Sequence, residues 1–105
     1  MNTAAILFFT TLVLSAAAGS ALASEELARK SGCLACHAID KKMVGPAYKD
    51  VAAKYRGDAG AEARLVEKLQ IKGSTGIWGE VFMPPMTTVP EADLKTLVKW
   101  ILSLK

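Results

Sequence analysis

The chain has 105 residues, with 13 Lys and Arg against 10 Asp and Glu, one His and two Cys, which leaves room for one small domain. One His excludes bis-His metal centres and H-E-x-x-H proteases, and two Cys exclude a multi-bridge disulfide scaffold and a four-thiolate zinc or iron–sulfur site. A net charge of +3 without a basic stripe gives no ground for nucleic-acid binding.

Charge and grease are unevenly distributed. Residues 1–24 carry no ionisable side chain, and the apolar run from Ala4 to Ala18 is broken only by Thr10, Thr11 and Ser15. Gly19, Ser20 and then Ala21-Leu22-Ala23 follow, the last an A-x-A cleavage pattern. The expectation is a signal peptide over residues 1–23, removed after Ala23, and a domain over residues 24–105 that works in the periplasm. A retained membrane anchor is the competing reading, because an uncharged stretch of this length can span a bilayer. The Ala-, Ser- and Thr-rich composition and the small residues at the cleavage position favour removal.

Helical spacing then dominates. Leu27 to Ala35 is the first helix expected in the domain, with Ser24 as N-cap and Glu25 and Glu26 in its first turn. The second runs from Ala47 to Tyr55, after the Gly45-Pro46 turn, with Tyr48, Val51, Ala52 and Tyr55 on one face. The third, Ala61 to Lys72, gathers Leu65, Val66 and Leu69 and ends at Gly73 as C′ residue. The fourth, Glu91 to Leu104, carries the stripe Leu94, Leu97, Val98, Ile101 and Leu104. Its start is either Pro90 at N1 or a capping box of Thr88 and Glu91. Residues 73–89, punctuated by Gly73, Gly76, Gly79, Pro84 and Pro85, read as a long loop of the functional kind. The fold class is therefore all-α, with four short helices. A core this small benefits from a covalent staple.

Cys33-Leu34-Ala35-Cys36-His37 supplies one. C-x-x-C-H is the signature of c-type haem attachment. Each thiol adds to one vinyl group of the haem, and the next residue, His37, becomes the proximal ligand of the iron. The motif uses both cysteines and the single histidine of the chain. A structural disulfide would close a very small loop, a thioredoxin-like pair needs a βαβ scaffold that is not patterned here, and zinc would want further ligands.

No second His exists to serve as sixth ligand. Met43 stands only six residues after His37, too close to reach the far side of the ring. Met83 and Met86 flank Pro84-Pro85 inside the Gly/Pro-rich loop, where two prolines stiffen the presentation of a thioether. The apolar Val81-Phe82-Met83 side suits an inner wall, and Met86 is the second candidate. A dry shell of Tyr48, Leu65, Leu69, Val81, Leu94, Leu97 and Trp100 is expected around the iron, raising its potential. Lys30, Lys41, Lys42, Lys49 and Lys72 are placed in sequence to ring a haem edge and to attract acidic partners.

Cys33-x-x-Cys36-His37, Lys42-Met43-Val44-Gly45-Pro46-Ala47-Tyr48, Gly76-Ile77-Trp78-Gly79, Met83-Pro84-Pro85 and Lys99-Trp100-Ile101-Leu102-Ser103 occur in this order. Over residues 24–105 the chain resembles the small bacterial class I cytochromes c of the cytochrome c-551/c-552 type. The resemblance implies four helices around one covalently attached haem c, with Met83 as distal ligand. It implies that the Pro46 carbonyl accepts from His37 Nδ1 and that the Trp78 indole bonds a haem propionate. Met86 stands where such proteins often carry an amide residue. Saturated coordination leaves no place for a substrate, so non-enzymatic one-electron exchange is what remains, and nothing demands more than a monomer; the resemblance implies a membrane quinol-oxidising complex as donor and a terminal oxidase or nitrite reductase as acceptor. A gas sensor or a peroxidase-like domain is the competing class; both need a labile sixth ligand, and a peroxidase also needs distal acid–base groups.

Overall fold

The structure is a computed structural model that describes Thr10 and residues 16–105. Most of the apolar leader run, 4–9 and 11–15, lies outside the described residues. Four α-helices carry the fold: α1 (Ala16–Lys30), α2 (Tyr48–Lys54), α3 (Ala61–Glu67) and α4 (Glu91–Ser103). Among the described residues no helix is long and apolar enough to cross a membrane.

The helix α4 is the hub, packing on α1, α2 and α3. Its stripe buries Leu94, Leu97, Val98 and Trp100. Opposite Leu97 and Trp100 sits Ala28 of α1, fully buried, so a small side chain lets the two helices approach. Tyr48, the first residue of α2, completes this cluster and meets Trp100 edge to face, ring centroids 5.7 Å apart.

The first helix departs from expectation. It runs unbroken across Ala23–Ser24 and ends at Lys30, so Ser24 is a buried mid-helix residue and not an N-cap. Alanine-rich sequence at 16–23 has high helix propensity and extends the helix backward. Glu25 and Glu26, rather than lying in a first turn, face Arg29 one helical turn on. Cys33–Ala35 then forms a separate 3-10 turn. Gly32, at φ +83°, breaks it from α1, a conformation a β-carbon disfavours.

The other helices match the expected spans to within a residue or two at most ends. The N-terminal N–H groups of α2 have no side-chain cap. Instead Tyr48 and Lys49 donate to the carbonyls of Ala38 and Ile39, both at 2.9 Å. The Ala61–Lys72 stretch is two elements: α3 stops at Glu67 and a π-helical turn, Lys68–Lys72, follows, closed by Gly73 N–H donating to Lys68 O at 2.7 Å. At the start of α4, Pro90 is the N-cap itself, with extended ψ of 146° and no side-chain cap. It is therefore not at N1, and Thr88 and Glu91 form no capping box. Glu91 pairs instead with Lys95, at 3.1 Å.

Residues 73–89 are more ordered than a plain loop. Ser74 and Met83 form an antiparallel bridge through two hydrogen bonds of 2.9 and 2.8 Å, and Gly76 N–H donates to Gly79 O at 2.8 Å. The segment is a closed, hairpin-like excursion that ends at the methionine.

Candidate functional site

The C-x-x-C-H segment is wound into one tight turn by its own backbone. Cys36 N–H and His37 N–H both donate to Cys33 O, at 3.2 and 3.0 Å. Gly45 N–H donates to Cys36 O at 2.8 Å and ties the 40–46 turn back onto the motif. No disulfide joins the two cysteines; Cys33 is partly buried and Cys36 exposed. Burial pushes the Cys33 thiol above its ordinary value. Burial, and then the Cys33 beside it, push the Tyr48 hydroxyl up much further.

His37 is 8% exposed and fixed on three sides. Its Nδ1 lies 2.8 Å from the Pro46 carbonyl oxygen. A carbonyl only accepts, so Nδ1 carries the proton, and in the neutral ring Nε2 keeps the lone pair with which it can bind a metal. Tyr48 stacks on the imidazole at 4.9 Å with an interplanar angle of 20°. Gly45 abuts the ring: a β-carbon there would stand 2.8 Å from Nδ1 and 2.9 Å from Nε2.

One cavity of about 630 Å³ gathers Cys33, Cys36, His37, Pro46, Trp78 and Met83, a size suited to a cofactor or similar small molecule. Six positions from four separate stretches of sequence thus line one space. Met43 and Met86 line it too. Met83 is held through its backbone to Ser74, whereas Met86 N–H donates to Leu69 O of the π turn at 2.6 Å. Leu65, Leu69, Leu94 and Leu97 contribute apolar wall. Of the expected shell residues one is elsewhere, and another lines the cavity only at its exposed rim. Trp100 packs behind Tyr48 and is not on the cavity. Val81 is 67% exposed and stands on the rim, because residues 75–82 all lie in the exposed excursion between the bridged Ser74 and Met83. Phe82 and Trp78 share that rim.

The donor set fits a haem c. It offers two thiols at C-x-x-C spacing, an imidazole with its outer nitrogen already engaged and a thioether on the same largely apolar cavity. A family model described as Cytochrome c matches residues 16–105. The chain belongs to the cytochrome c family. It is 61% identical over 87 residues to cytochrome c-551 of Allochromatium vinosum, covering 83% of this chain and 92% of that protein. It is 57% identical over 81 residues to cytochrome c-551 of Pseudomonas aeruginosa, covering 77% of this chain and 76% of that one. The crystal structure of wild-type Nitrosomonas europaea cytochrome c552 superposes with a TM-score of 0.73 at 48% identity, over 77% of this chain and 99% of that one. This cytochrome c is thus a small bacterial class I member, four-helical, whose cofactor is one covalently bound haem c.

Several residues that shape this cytochrome c site carry weak sequence signals. Gly45 reads in sequence only as half of a Gly-Pro turn, yet it is the residue that admits the imidazole. Gly73 reads as a helix stop. In the fold its φ is +67°, and a β-carbon there would meet the Met83 carbonyl and the Phe82 ring, the latter at 2.7 Å. Lys54, at the end of α2, has its ammonium 5.6 Å from the Trp78 ring centroid, a contact across 24 positions that no local pattern announces. Lys72, grouped in sequence with the rim lysines, is paired with Glu67 at 3.1 Å.

Proposed function

We propose that this cytochrome c is a one-electron carrier whose haem is bonded through Cys33 and Cys36, with His37 Nε2 and the Met83 sulfur as axial ligands. The hydrogen bond from His37 Nδ1 to Pro46 carries the reading, because it fixes the ligating tautomer before any metal is bound and makes the ring a stronger donor. The bound haem supplies a ferric/ferrous couple, with a potential raised by a thioether ligand relative to bis-His ligation. With His37 Nε2 and the Met83 sulfur both holding the iron, no ligand site would be left to a substrate. Its remaining tasks are to keep the ring environment apolar and to leave an edge accessible, which the exposed Trp78, Val81 and Phe82 rim supports. Trp78 has a single indole N–H to give, and in this reading a haem propionate accepts it.

Residues 1–23 are a signal peptide cleaved after Ala23, and the protein works as a monomer in the periplasm. It takes electrons from a membrane quinol-oxidising complex and passes them to a terminal oxidase or nitrite reductase. Lys30, Lys41, Lys42 and Lys49 have no ion-pair partner among the described residues, and Lys42 lies at the cavity, which supports docking to acidic surfaces. Absorption spectra of ferric wild type, Met83→Ala and Met86→Ala test the ligand assignment. The weak long-wavelength band of thioether-bound ferric haem is expected to vanish in Met83→Ala and to remain in Met86→Ala. Its persistence in Met83→Ala reassigns the ligand. N-terminal sequencing of the exported protein is expected to begin at Ser24.

A further inference from the structure

Trp78 meets a cation from outside its own loop. Trp78 lies between Gly76 and Gly79, both at positive φ (86° and 125°), in a tight turn closed by the 2.8 Å hydrogen bond from Gly76 N–H to Gly79 O. Its side chain is 37% exposed. The turn fixes the backbone of Trp78, and the cation beside its ring comes from outside that turn. Lys54 is the last residue of α2, and its ammonium sits 5.6 Å from the centroid of Trp78 and 5.9 Å from that of Tyr55. Both distances lie within cation–π range. No carboxylate pairs with Lys54 among the described residues, so the two rings are the contacts it makes. The same seven-residue helix bears Tyr48 at its other end, stacked on His37. One rigid element thus orders an aromatic contact at the proximal ligand and another at the cavity rim.

We propose that Lys54 is a positioning residue for Trp78: its ammonium, bracketed by the Tyr55 and Trp78 rings, holds the indole in the orientation from which its N–H serves the cofactor. The proposal rests on the reading that the indole N–H is donated to a haem propionate. The lysine also adds a fixed positive charge to that side of the cavity. A positive charge there disfavours the ferric state, so it raises the reduction potential.

The test is the hydrogen-exchange rate of the Trp78 indole N–H in the reduced, diamagnetic holoprotein, followed by NMR. It is read in wild type, Lys54→Gln, Lys54→Arg and Lys49→Gln, the last being a control lysine on the same helix. Lys54→Gln is expected to speed exchange about two- to fivefold, the population change that loss of a surface cation–π contact produces, and to lower the reduction potential. Lys54→Arg, which keeps the cation over the ring, is expected to restore the wild-type rate, and Lys49→Gln to leave it unchanged. Equal exchange in Lys54→Gln and wild type overturns the proposal even if the potential falls, because any lost charge shifts a potential. An indole N–H that is unprotected already in wild type removes the propionate reading instead, and the proposal with it.

Discussion

Gly45 and His37 are packed so that the glycine's missing side chain is the space the imidazole occupies. A β-carbon at position 45 would lie 2.8 Å from Nδ1 and 2.9 Å from Nε2 of the ring, well inside contact distance. At Nδ1 the ring is also tied to the Pro46 carbonyl, and on a face it is stacked by Tyr48. It has nowhere to retreat without losing one of these.

Gly45→Ala is therefore expected to destabilise the holoprotein by about 1–3 kcal/mol, the usual cost of overpacking a filled site. It is also expected to perturb the visible spectrum, since the displaced group is the proposed ligand itself. Denaturant unfolding monitored in the Soret region checks both. A wild-type midpoint with an unchanged spectrum would contradict the packing seen here.

Gly73 plays the matching part on the methionine side. At φ +67° it starts the Ser74–Met83 bridge, and a β-carbon would strike the Met83 carbonyl and the Phe82 ring. Gly73→Ala is expected to cost about 1–3 kcal/mol through the positive φ and the clash together. Because the clash falls on Met83, it is expected to weaken thioether ligation selectively. Faster binding of added imidazole to the ferric protein, relative to wild type, is the readout; an unaltered rate argues that the bridge does not hold the methionine.

Acid sensitivity has an identifiable surface contribution. The Arg64 guanidinium holds the Asp58 carboxyl below its ordinary value, and Lys95 does the same for Glu91. Both carboxylates are exposed, so each contribution is that of a screened surface pair. Unfolding removes the partners and returns these groups to ordinary values, so the unfolded chain takes up protons first as pH falls. The stabilisation is complete above the ordinary carboxylate range and is lost as pH drops through the depressed folded values. Asp58→Asn is expected to lower the melting temperature at neutral pH, with the gap from wild type closing on acidification. A gap that widens in acid would reverse the assignment.

The unpaired lysines predict salt dependence. With Lys30, Lys41, Lys42 and Lys49 free of ion pairs among the described residues, electron exchange with an acidic redox protein should slow as ionic strength rises toward about 0.1 M, where screening lengths shorten to about 10 Å. Lys42→Gln is expected to slow exchange at low salt only. Stopped-flow rates that are flat across ionic strength count against electrostatic steering.

Much of this was written locally in the chain. The C-x-x-C-H pentapeptide specifies attachment chemistry because its five residues must lie in one turn, and neighbours in sequence cannot avoid being neighbours in space. The stripes of α2 and α4 show as 3.6-residue spacing for the same reason, and the Pro-flanked methionine stands out by composition. Gly45, Gly73 and Lys54 stayed hidden because their roles are defined by what approaches from elsewhere: an imidazole eight residues back, the bridged Met83 ten residues on, an indole from a distant loop. The extent of α1 escaped too, since alanine-rich sequence is equally at home in a leader and in a helix.

By itself, then, the sequence determined the cofactor chemistry, the helical class and the short list of sulfur donors, all of which depend on residue type and close spacing. Only the tertiary structure decided which nitrogen of His37 meets the Pro46 carbonyl, which glycines make room for His37 and Met83 and which cation meets the rim tryptophan. Those are facts of steric exclusion and through-space geometry, and they exist only once the helices have packed around the site.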